Sequence, residues 1–308
     1  MVISASHILS STDLSPSETL HLLRLASKLK AGERRQSLQG KTVALLFEKP
    51  SLRTKVSFQV ATTQLGGTSL FLGPDEVGLG KREPVADVAR VLSRMVDAIV
   101  VRTFAQETLE EMARYSSVPV INALSDAEHP CQALADLLTL FERFGFDAEG
   151  LTIAYLGDGN NVAASLALTA AAVGVSFRLA SPPGYELPID VSSQVKARAS
   201  ASGASFQEMQ DPREAVKGAS TVYTDVWTSM GKETESQKRR KAFDAYQVTT
   251  SLLDLAGPSC VFLHPLPAHP GEEIEKGLLD DPRSIVFEQA ENRLHAQKAL
   301  LAELFDGS

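Results

Sequence analysis

The chain has 308 residues, more than a single hydrophobic core usually serves, so its length predicts two domains. Its formal net charge of −8 argues against a nucleic-acid-binding protein, whose binding surface is basic. No apolar run is long enough for a membrane span, and the N-terminus lacks the basic and apolar regions of a signal peptide. The two cysteines, Cys131 and Cys260, suggest no disulfide framework, so a reducing cytoplasm is the expected compartment.

Short apolar runs alternate with stretches of helical periodicity, and this alternation predicts parallel sheets covered by helices on both faces. The alternation restarts in the second half, so we expect an α/β fold with two doubly wound parallel-sheet domains. Strands are predicted in the first half at 43–47, 68–72, 98–101 and 118–122. In the second half they are predicted at 151–156, 175–180, 205–209, 221–224 and 260–264, with a last one at 284–287.

Helices are predicted between these strands. A capping box at 15–18, with proline at the first helical position, begins the first helix, and Gly32 ends it. Further helical stretches lie near 53–65, 84–96, 106–115, 131–144 and 292–305, and the domains are expected to hinge near 131–144. The polar, charged segment 232–241 is typical of a mobile surface loop.

The most informative segment is 47–58, Phe-Glu-Lys-Pro-Ser-Leu-Arg-Thr-Lys-Val-Ser-Phe, which predicts a strand, a tight turn and the start of a helix. A helix N-terminus presents unpaired N–H groups and partial positive charge, which suit an anion. Arg53 adds a guanidinium that can fork onto a phosphate, and the Ser51 and Thr54 hydroxyls can bind its remaining oxygens. The alternative is an N-cap serine followed by solvated basic residues.

Two more segments of the first half place polar side chains after strands, where ligands bind in open α/β sheets. Arg102 directly follows a predicted strand and can point into the crevice, although a surface ion pair explains it equally well in isolation. His129 and Gln132 lie three residues apart at a helix start and share one face. Both can donate to one carbonyl oxygen or amide, whereas a lone loop histidine is more often structural.

The second half repeats this arrangement. The segment 157–161, Gly-Asp-Gly-Asn-Asn, invites a dinucleotide interpretation, but Val162 occupies the third glycine position and the next strand ends without an acid for a ribose. Two amides at this helix N-terminus suit a small carboxylate instead. Asp225 follows the next strand as either a helix cap or a ligand for an amine. Two prolines stiffen the loop 264–267 and leave its carbonyls facing the crevice, and 291–293 opens the last helix.

Together these segments resemble the ornithine carbamoyltransferases of the aspartate/ornithine carbamoyltransferase superfamily, in their order and spacing. The resemblance implies two α/β domains: residues 1–134 for carbamoyl phosphate, with the helix 290–308 packing on it, and residues 135–289 for ornithine. It also implies a homotrimer, or a multiple of trimers, with active sites at subunit interfaces. No metal or organic cofactor is implied.

The activity implied is carbamoyl transfer from carbamoyl phosphate to the δ-amine of L-ornithine, giving L-citrulline and phosphate in arginine biosynthesis or catabolism. The residues that would bind carbamoyl phosphate are Ser51, Leu52, Arg53, Thr54, Arg102, His129, Gln132, Pro265, Leu266 and Arg293. Those that would bind ornithine are Asn161, Asp225, Ser229 and Met230. The expected catalytic residues are Arg53, Thr54, Arg102, His129 and Asp225.

Four positions depart from the family pattern. Leu52 replaces a threonine and Lys55 replaces a second arginine. Gly78 stands where many members carry a glutamine or histidine that reaches the neighbouring subunit's carbamoyl phosphate. Pro265 stands where ornithine enzymes usually have cysteine, and the resulting His-Pro-Leu-Pro is the form of the aspartate enzyme.

Two alternatives therefore stay open. The first is a carbamoyltransferase for aspartate or another amine, which Pro265 favours; against aspartate, Asp225 and the segment 229–231 stand where that enzyme would present arginines to a second carboxylate. The second is a non-catalytic paralogue that acts as a binding or regulatory subunit. Against it, the set of predicted polar residues in the first domain is intact.

Overall fold

The computed structural model describes residues 3–147, 149–228, 231 and 233–306. The chain divides into two compact units, which we call unit 1 (residues 1–142 and 291–308) and unit 2 (residues 143–290). The division predicted at residues 134 and 135 lies inside a helix that runs from Pro130 to Phe144. Within the described ranges, no helix is both long and apolar enough to cross a bilayer.

Unit 1 contains a sheet of four parallel strands, in the order β2-β1-β3-β4. The strands are β1 (Thr42–Phe47), β2 (Thr68–Leu72), β3 (Ala98–Arg102) and β4 (Val120–Leu124). The central strands β1 and β3 are continuous apolar runs because both of their faces are covered. The chain order reverses between these two strands, which makes their carboxyl ends the topological switch point of the sheet.

The helices of unit 1 cover this sheet. They are α1 (Pro16–Lys30), α2 (Leu52–Gln64), α3 (Pro74–Val77), α4 (Val85–Leu92), α5 (Gln106–Tyr115) and most of α6 (Pro130–Phe144). The capping box of α1 is confirmed, since Ser15 Oγ accepts from the Glu18 N–H and the Glu18 carboxylate accepts from the Ser15 N–H. Apolar side chains of α4 and α5, such as Val88 and Leu109, pack with those of β1 and β3.

Unit 2 contains five parallel strands in the order β7-β6-β5-β8-β9, with its switch point between β5 and β8. The strands are β5 (Thr152–Leu156), β6 (Ser176–Ala180), β7 (Phe206–Met209), β8 (Thr221–Thr224) and β9 (Val261–Leu263). The helices are α7 (Asn161–Ala172), α8 (Ile189–Ser202), α9 (Pro212–Val216), α10 (Ser236–Phe243) and α11 (Thr250–Ala256). The last helix, α12 (Val286–Asp306), begins in unit 2 and belongs to unit 1 from Glu291 onward.

Two predicted elements are wrong. The strand predicted at 284–287 is absent: Ser284 forms a single bridge to Phe262, and α12 begins at Val286. A short apolar run does not by itself distinguish a strand from the start of a helix. The segment 232–241 is not a loop over its described residues, because α10 begins at Ser236 and buries Arg239. Its polar composition did not indicate a helix, and this helix buries a charged side chain as well as Phe243.

Candidate active site

The predicted anion loop and Arg102 lie side by side at the switch point of unit 1. Phe47, the last residue of β1, pairs with Arg102, the last residue of β3. The loop that leaves β1 enters α2 through the N-cap Ser51, whose hydroxyl accepts from the Thr54 N–H at 3.2 Å. Leu52 is 74% exposed, so at the start of α2 this residue can contribute its backbone N–H to an anion site, whereas its side chain points to solvent.

Arg293 of α12 joins this loop to the start of α6. Its Nη2 donates to Thr54 Oγ1 at 3.0 Å, and its Nη1 donates to Gln132 Oε1 at 2.7 Å. The Gln132 amide in turn donates through Nε2 to Asp136 Oδ1 at 2.8 Å. This chain of contacts fixes the orientation of the amide, with its oxygen toward Arg293. Four residues from three separate helices are thus held in one buried network.

Positive charge is concentrated at this switch point. Burial and the neighbouring charges of Arg293 and Arg53 lower the pKa of Arg102 to about 10. The Nε of Arg102 is buried and has no hydrogen-bond partner among the described residues. Burial, with the charges of Arg293, Arg102 and Arg53, also holds the pKa of His129 well below its ordinary value. His129 is therefore a neutral N–H donor at neutral pH, set among guanidinium groups that favour an anion.

The N-terminal segment supports the loop that carries His129, a role the sequence motifs did not indicate. The Glu128 carboxylate accepts from Ser10 Oγ at 2.5 Å and from the Ser11 N–H at 2.8 Å. The neighbouring Asp126 pairs with the buried ammonium of Lys49 at 2.5 Å. Asp126 and Glu128 flank the histidine motif in sequence, but their distant partners could not be identified without the fold.

Two of the residues predicted to bind ornithine, Asn161 and Asp225, lie at the switch point of unit 2. Asp225 follows β8 directly, and Asn160 caps α7 after β5. Asn160 Nδ2 donates to Asp225 Oδ2 at 2.9 Å, so the two loops are joined. Burial raises the pKa of Asp225, although His264 and the hydrogen bond from Asn160 partly oppose this effect. The predicted residues Ser229 and Met230 lie outside the described residues.

The backbone N–H groups of the two glycines in the segment 157–161 donate to other backbone atoms of unit 2. The Gly157 N–H donates to Ala180 O at 2.9 Å, and the Gly159 N–H donates to Tyr185 O at 2.8 Å. A Cβ on Gly159 would approach the backbone of Glu186 to 2.5 Å, so close packing requires glycine there. The next amides, starting at Val162, are capped by Asn160 Oδ1, and Asn161 Oδ1 also accepts from the Val162 N–H at 3.0 Å.

The predicted loop 264–267 follows β9. The Leu266 N–H donates to His264 Nδ1 at 2.9 Å, while His264 Nε2 lies 3.3 Å from Glu273 Oε1. Leu266 has a φ of 57°, a left-handed conformation that costs energy for leucine and is concentrated at ligand sites. The peptide bond between Leu266 and Pro267 is cis. Pro265 is half-buried within this turn.

Within the described part of the chain, the side chains of His269, Glu272 and Glu273 lie close enough to hold a cation, with ligand atoms within 4.8 Å of one another. Both carboxylates are already engaged. Glu272 Oε1 accepts from Arg240 Nη2 at 2.5 Å, and Glu273 Oε1 accepts from the backbone N–H of His269, also at 2.5 Å. This group therefore stabilises the segment after the 264–267 loop.

Comparison with known proteins assigns both units. The family model for the aspartate/ornithine carbamoyltransferase carbamoyl-P binding domain matches residues 6–142, and that for the Asp/Orn binding domain matches residues 149–304. The chain belongs to the aspartate/ornithine carbamoyltransferase family.

Within this family, the chain is similar over nearly its full length to ornithine carbamoyltransferases. The protein from Gloeobacter violaceus is 52% identical over 300 residues, which cover 97% of this chain and 96% of that protein. The structure of the enzyme from Pyrococcus furiosus matches with a TM-score of 0.96 and 45% identity, covering 100% of this chain and 99% of that one. The anabolic enzyme from Campylobacter jejuni matches with a TM-score of 0.94 and 38% identity, covering 99% and 100%.

Proposed function

We propose that this protein transfers the carbamoyl group of carbamoyl phosphate to the δ-amine of L-ornithine, forming L-citrulline and phosphate. The observation that carries the proposal is the buried cluster at the switch point of unit 1, where Arg293 donates to Thr54 and the charges of Arg102 and Arg293 act on the neutral His129. Full-length similarity to ornithine carbamoyltransferases supports the same reaction.

Carbamoyl phosphate is bound by unit 1 in this proposal. The phosphate lies at the N-terminus of α2, where backbone N–H groups from Leu52 onward, the Ser51 hydroxyl and the Arg53 guanidinium bind its oxygens, reinforced by Arg293. Thr54, Arg102 and His129 donate to the carbonyl oxygen, which gains negative charge as the amine adds to the carbon. Hydrogen-bond donors that are already in position stabilise this developing charge more strongly than they stabilise the uncharged carbonyl of the bound substrate.

The carbamoyl NH₂ group requires acceptors. Gln132 Oε1 and the carbonyls of Pro265 and Leu266 supply them in this proposal. The left-handed conformation of Leu266 and its N–H bond to His264 set the direction in which the loop carbonyls point. The cis bond that follows is part of the same turn.

Ornithine is bound by unit 2. Asn161 binds its α-carboxylate and amino group, Ser229 and Met230 close over it, and Asp225 orients the amine that attacks. An alkylammonium has a pKa near 10.4, so presenting it uncharged near pH 7.5 costs roughly 4 kcal/mol. A carboxylate with a raised pKa, such as Asp225, lowers this cost because it is a better proton acceptor than an ordinary aspartate. The leaving phosphate is a second acceptor.

The same relatives indicate whether the reaction belongs to arginine biosynthesis or catabolism, and which amine accepts the carbamoyl group. The Campylobacter jejuni structure is that of an anabolic enzyme, so we propose arginine biosynthesis as the direction of this reaction. We also propose the cytoplasm as the compartment, because two buried free cysteines suit a reducing environment. Although Pro265 matches the aspartate enzyme, the relatives at about 50% identity are ornithine enzymes, so the proline does not select aspartate here.

Assembly into a homotrimer, or a multiple of trimers, is the second part of the proposal. Leu52 and Val56 lie one turn apart on α2 and are 74% and 48% exposed, and Leu70 on the edge strand β2 is 47% exposed. The two elements are in contact, and exposed apolar side chains on them suit contact with a second copy of the chain. Light scattering should give a mass three times the 33.1 kDa of the chain, or a multiple of it, and Leu52→Glu should reduce it.

The direct test is a citrulline assay with carbamoyl phosphate and ornithine, run beside aspartate, putrescine and N-acetylornithine as acceptors. Of these four acceptors, we expect only ornithine to be carbamoylated. Arg53→Ala should nearly abolish turnover in a folded protein, whereas Arg114→Ala, an exposed arginine at the end of α5, should leave it unchanged. Turnover with another acceptor and none with ornithine would reject the substrate assignment.

A further inference from the structure

The helix α10 brings one arginine into the interior of unit 2. Arg239 is 4% exposed. Its Nη1 donates to Asp158 Oδ2 at 2.7 Å and to the Trp227 carbonyl at 3.0 Å, while its Nε donates to Glu235 Oε2 at 3.0 Å. The guanidinium also lies over the Tyr185 ring, 5.1 Å from its centroid. The group is therefore fixed on several sides by different parts of unit 2.

The two partners of Nη1 belong to the loops that carry the proposed ornithine-binding residues. Asp158 lies in the loop after β5, three residues before Asn161. Trp227 lies in the loop after β8, two residues beyond Asp225. The strands β5 and β8 are paired neighbours on either side of the switch point. One nitrogen thus bridges both sides of the place where a ligand of this sheet is expected.

We propose that Arg239 is a positioning residue that sets the spacing between the β5 and β8 loops, and through it the binding of ornithine. The identity of this ligand rests on the proposed function, whereas the link between the loops does not. Asn160 and Asp225 form the direct link between the same loops, and Arg239 forms a second one. A planar guanidinium can direct two N–H bonds from one nitrogen, whereas the ammonium of lysine has no fixed planar geometry.

Packing around α10 does not depend on this guanidinium alone. The Trp227 ring stacks on Phe243 with centroids 6.0 Å apart, and Tyr185 contacts Phe243 edge-on at 4.7 Å. These aromatic contacts hold α10 against unit 2 without the arginine. Loss of Arg239 is therefore expected to loosen the spacing of the loops while the unit stays folded.

Steady-state kinetics test the consequence for the ligand. Arg239→Met should raise the KM for ornithine at least tenfold, with a smaller effect on kcat and none on the KM for carbamoyl phosphate, and Arg239→Lys should recover part of the loss. Arg240→Met is the matched control, since Arg240 is the next residue of α10 and is also ion-paired, but its side chain is 59% exposed. An unchanged ornithine KM in Arg239→Met, or equal changes for both substrates, would overturn the proposal.

The single tryptophan of the chain gives a readout that does not need activity. Trp227 is buried beside Arg239, so acrylamide should quench its fluorescence at least twofold more strongly in Arg239→Met and equally in Arg240→Met and the wild type. If Arg239→Met does not fold, Arg239→Met with Asp158→Leu removes both buried charges and leaves no buried unpaired carboxylate, since the Glu235 side chain is 51% exposed. Wild-type quenching and ornithine KM in that folded double variant would refute the link. Increased quenching in a protein that forms no citrulline would reject the proposed function and retain the link.

Discussion

The buried Arg102 leads to a prediction that separates stability from activity. Its pKa is lowered from an ordinary 12.5 to about 10 by burial and by the charges of Arg293 and Arg53. Each pKa unit corresponds to about 1.4 kcal/mol, so holding this guanidinium charged in the folded protein costs roughly 3 kcal/mol. Methionine has a similar shape without the charge. We therefore expect Arg102→Met to stabilise the protein in the absence of an anion by up to about 3 kcal/mol.

The same replacement should remove an anion ligand and a donor to the carbonyl oxygen. A charge-assisted hydrogen bond contributes about 1.5–3 kcal/mol, so phosphate affinity should fall roughly 10-fold to 150-fold. Turnover should fall about 100-fold to 1,000-fold, the usual effect of losing one donor to a developing oxyanion. The variant should thus be more stable and nearly inactive.

Thermal denaturation with and without phosphate measures both effects. For a unit of this size, 1 kcal/mol changes Tm by about 2–4 °C, so Arg102→Met should melt several degrees higher in phosphate-free buffer. Phosphate should raise the Tm of the wild type and hardly affect the variant. Arg102→Lys keeps the charge and should not gain stability, and Arg114→Met on the surface should change neither quantity. A lower Tm for Arg102→Met, or an equal phosphate response, would contradict the electrostatic argument.

Three further predictions concern protonation. Burial raises the pKa of Glu18, but hydrogen bonds from Ser15 and Ser4 outweigh it and lower the pKa to about 2. The stabilisation by this carboxylate is therefore complete above about pH 4.5 and is lost as the pH falls toward 2. We expect Glu18→Gln to lower the free energy of unfolding by about 1 kcal/mol at pH 7. The variant should also lose less stability than the wild type when acid unfolding is followed by circular dichroism. An unchanged acid limb would count against the capping box as its origin. His129 stays neutral above its lowered pKa, so His129→Gln should reduce kcat about 100-fold without shifting the acid limb of the pH–rate profile. A shift of that limb in the variant would show that the imidazole titrates during turnover. The rate at saturating carbamoyl phosphate should rise toward alkaline pH, and Pro265→Cys should shift this profile toward neutral pH without changing the acceptor; a switch between aspartate and ornithine would mean that the wrong residues were assigned to specificity.

The sequence predicted the parts of the fold that depend on local chemistry. Alternating apolar runs located every strand of both sheets, and the capping box at Ser15 located the start of α1. The positions of Thr54, Arg102 and Gln132 were predictable because strand ends and helix starts are where a parallel sheet presents side chains.

The missing parts depend on contacts between distant residues. The segment that forms α10 looked like a loop because its composition is polar, and its sequence does not show that Arg239 is buried in a pair with Asp158. The Gly157 N–H donates to Ala180 at the end of β6 and the Gly159 N–H donates to Tyr185 in the following loop, and the segment 157–161 alone does not indicate these acceptors. In each case the deciding partner lies many residues away, and no local pattern specifies it.

The two switch points carry opposite charge, and the hydrogen-bond networks explain how. In unit 1 a neutral amide, Gln132, donates to the Asp136 carboxylate and accepts from the Arg293 guanidinium. In unit 2 the arrangement is reversed, because Asp158 and Glu235 pair directly with Arg239 while Asp225 accepts from a neutral amide. Unit 1 therefore keeps positive charge for an anion, and unit 2 keeps a carboxylate for an amine. In the proposed function these charges are opposite to those of the ligands, the anionic carbamoyl phosphate and the ammonium of the ornithine side chain, and the same sheet architecture provides both.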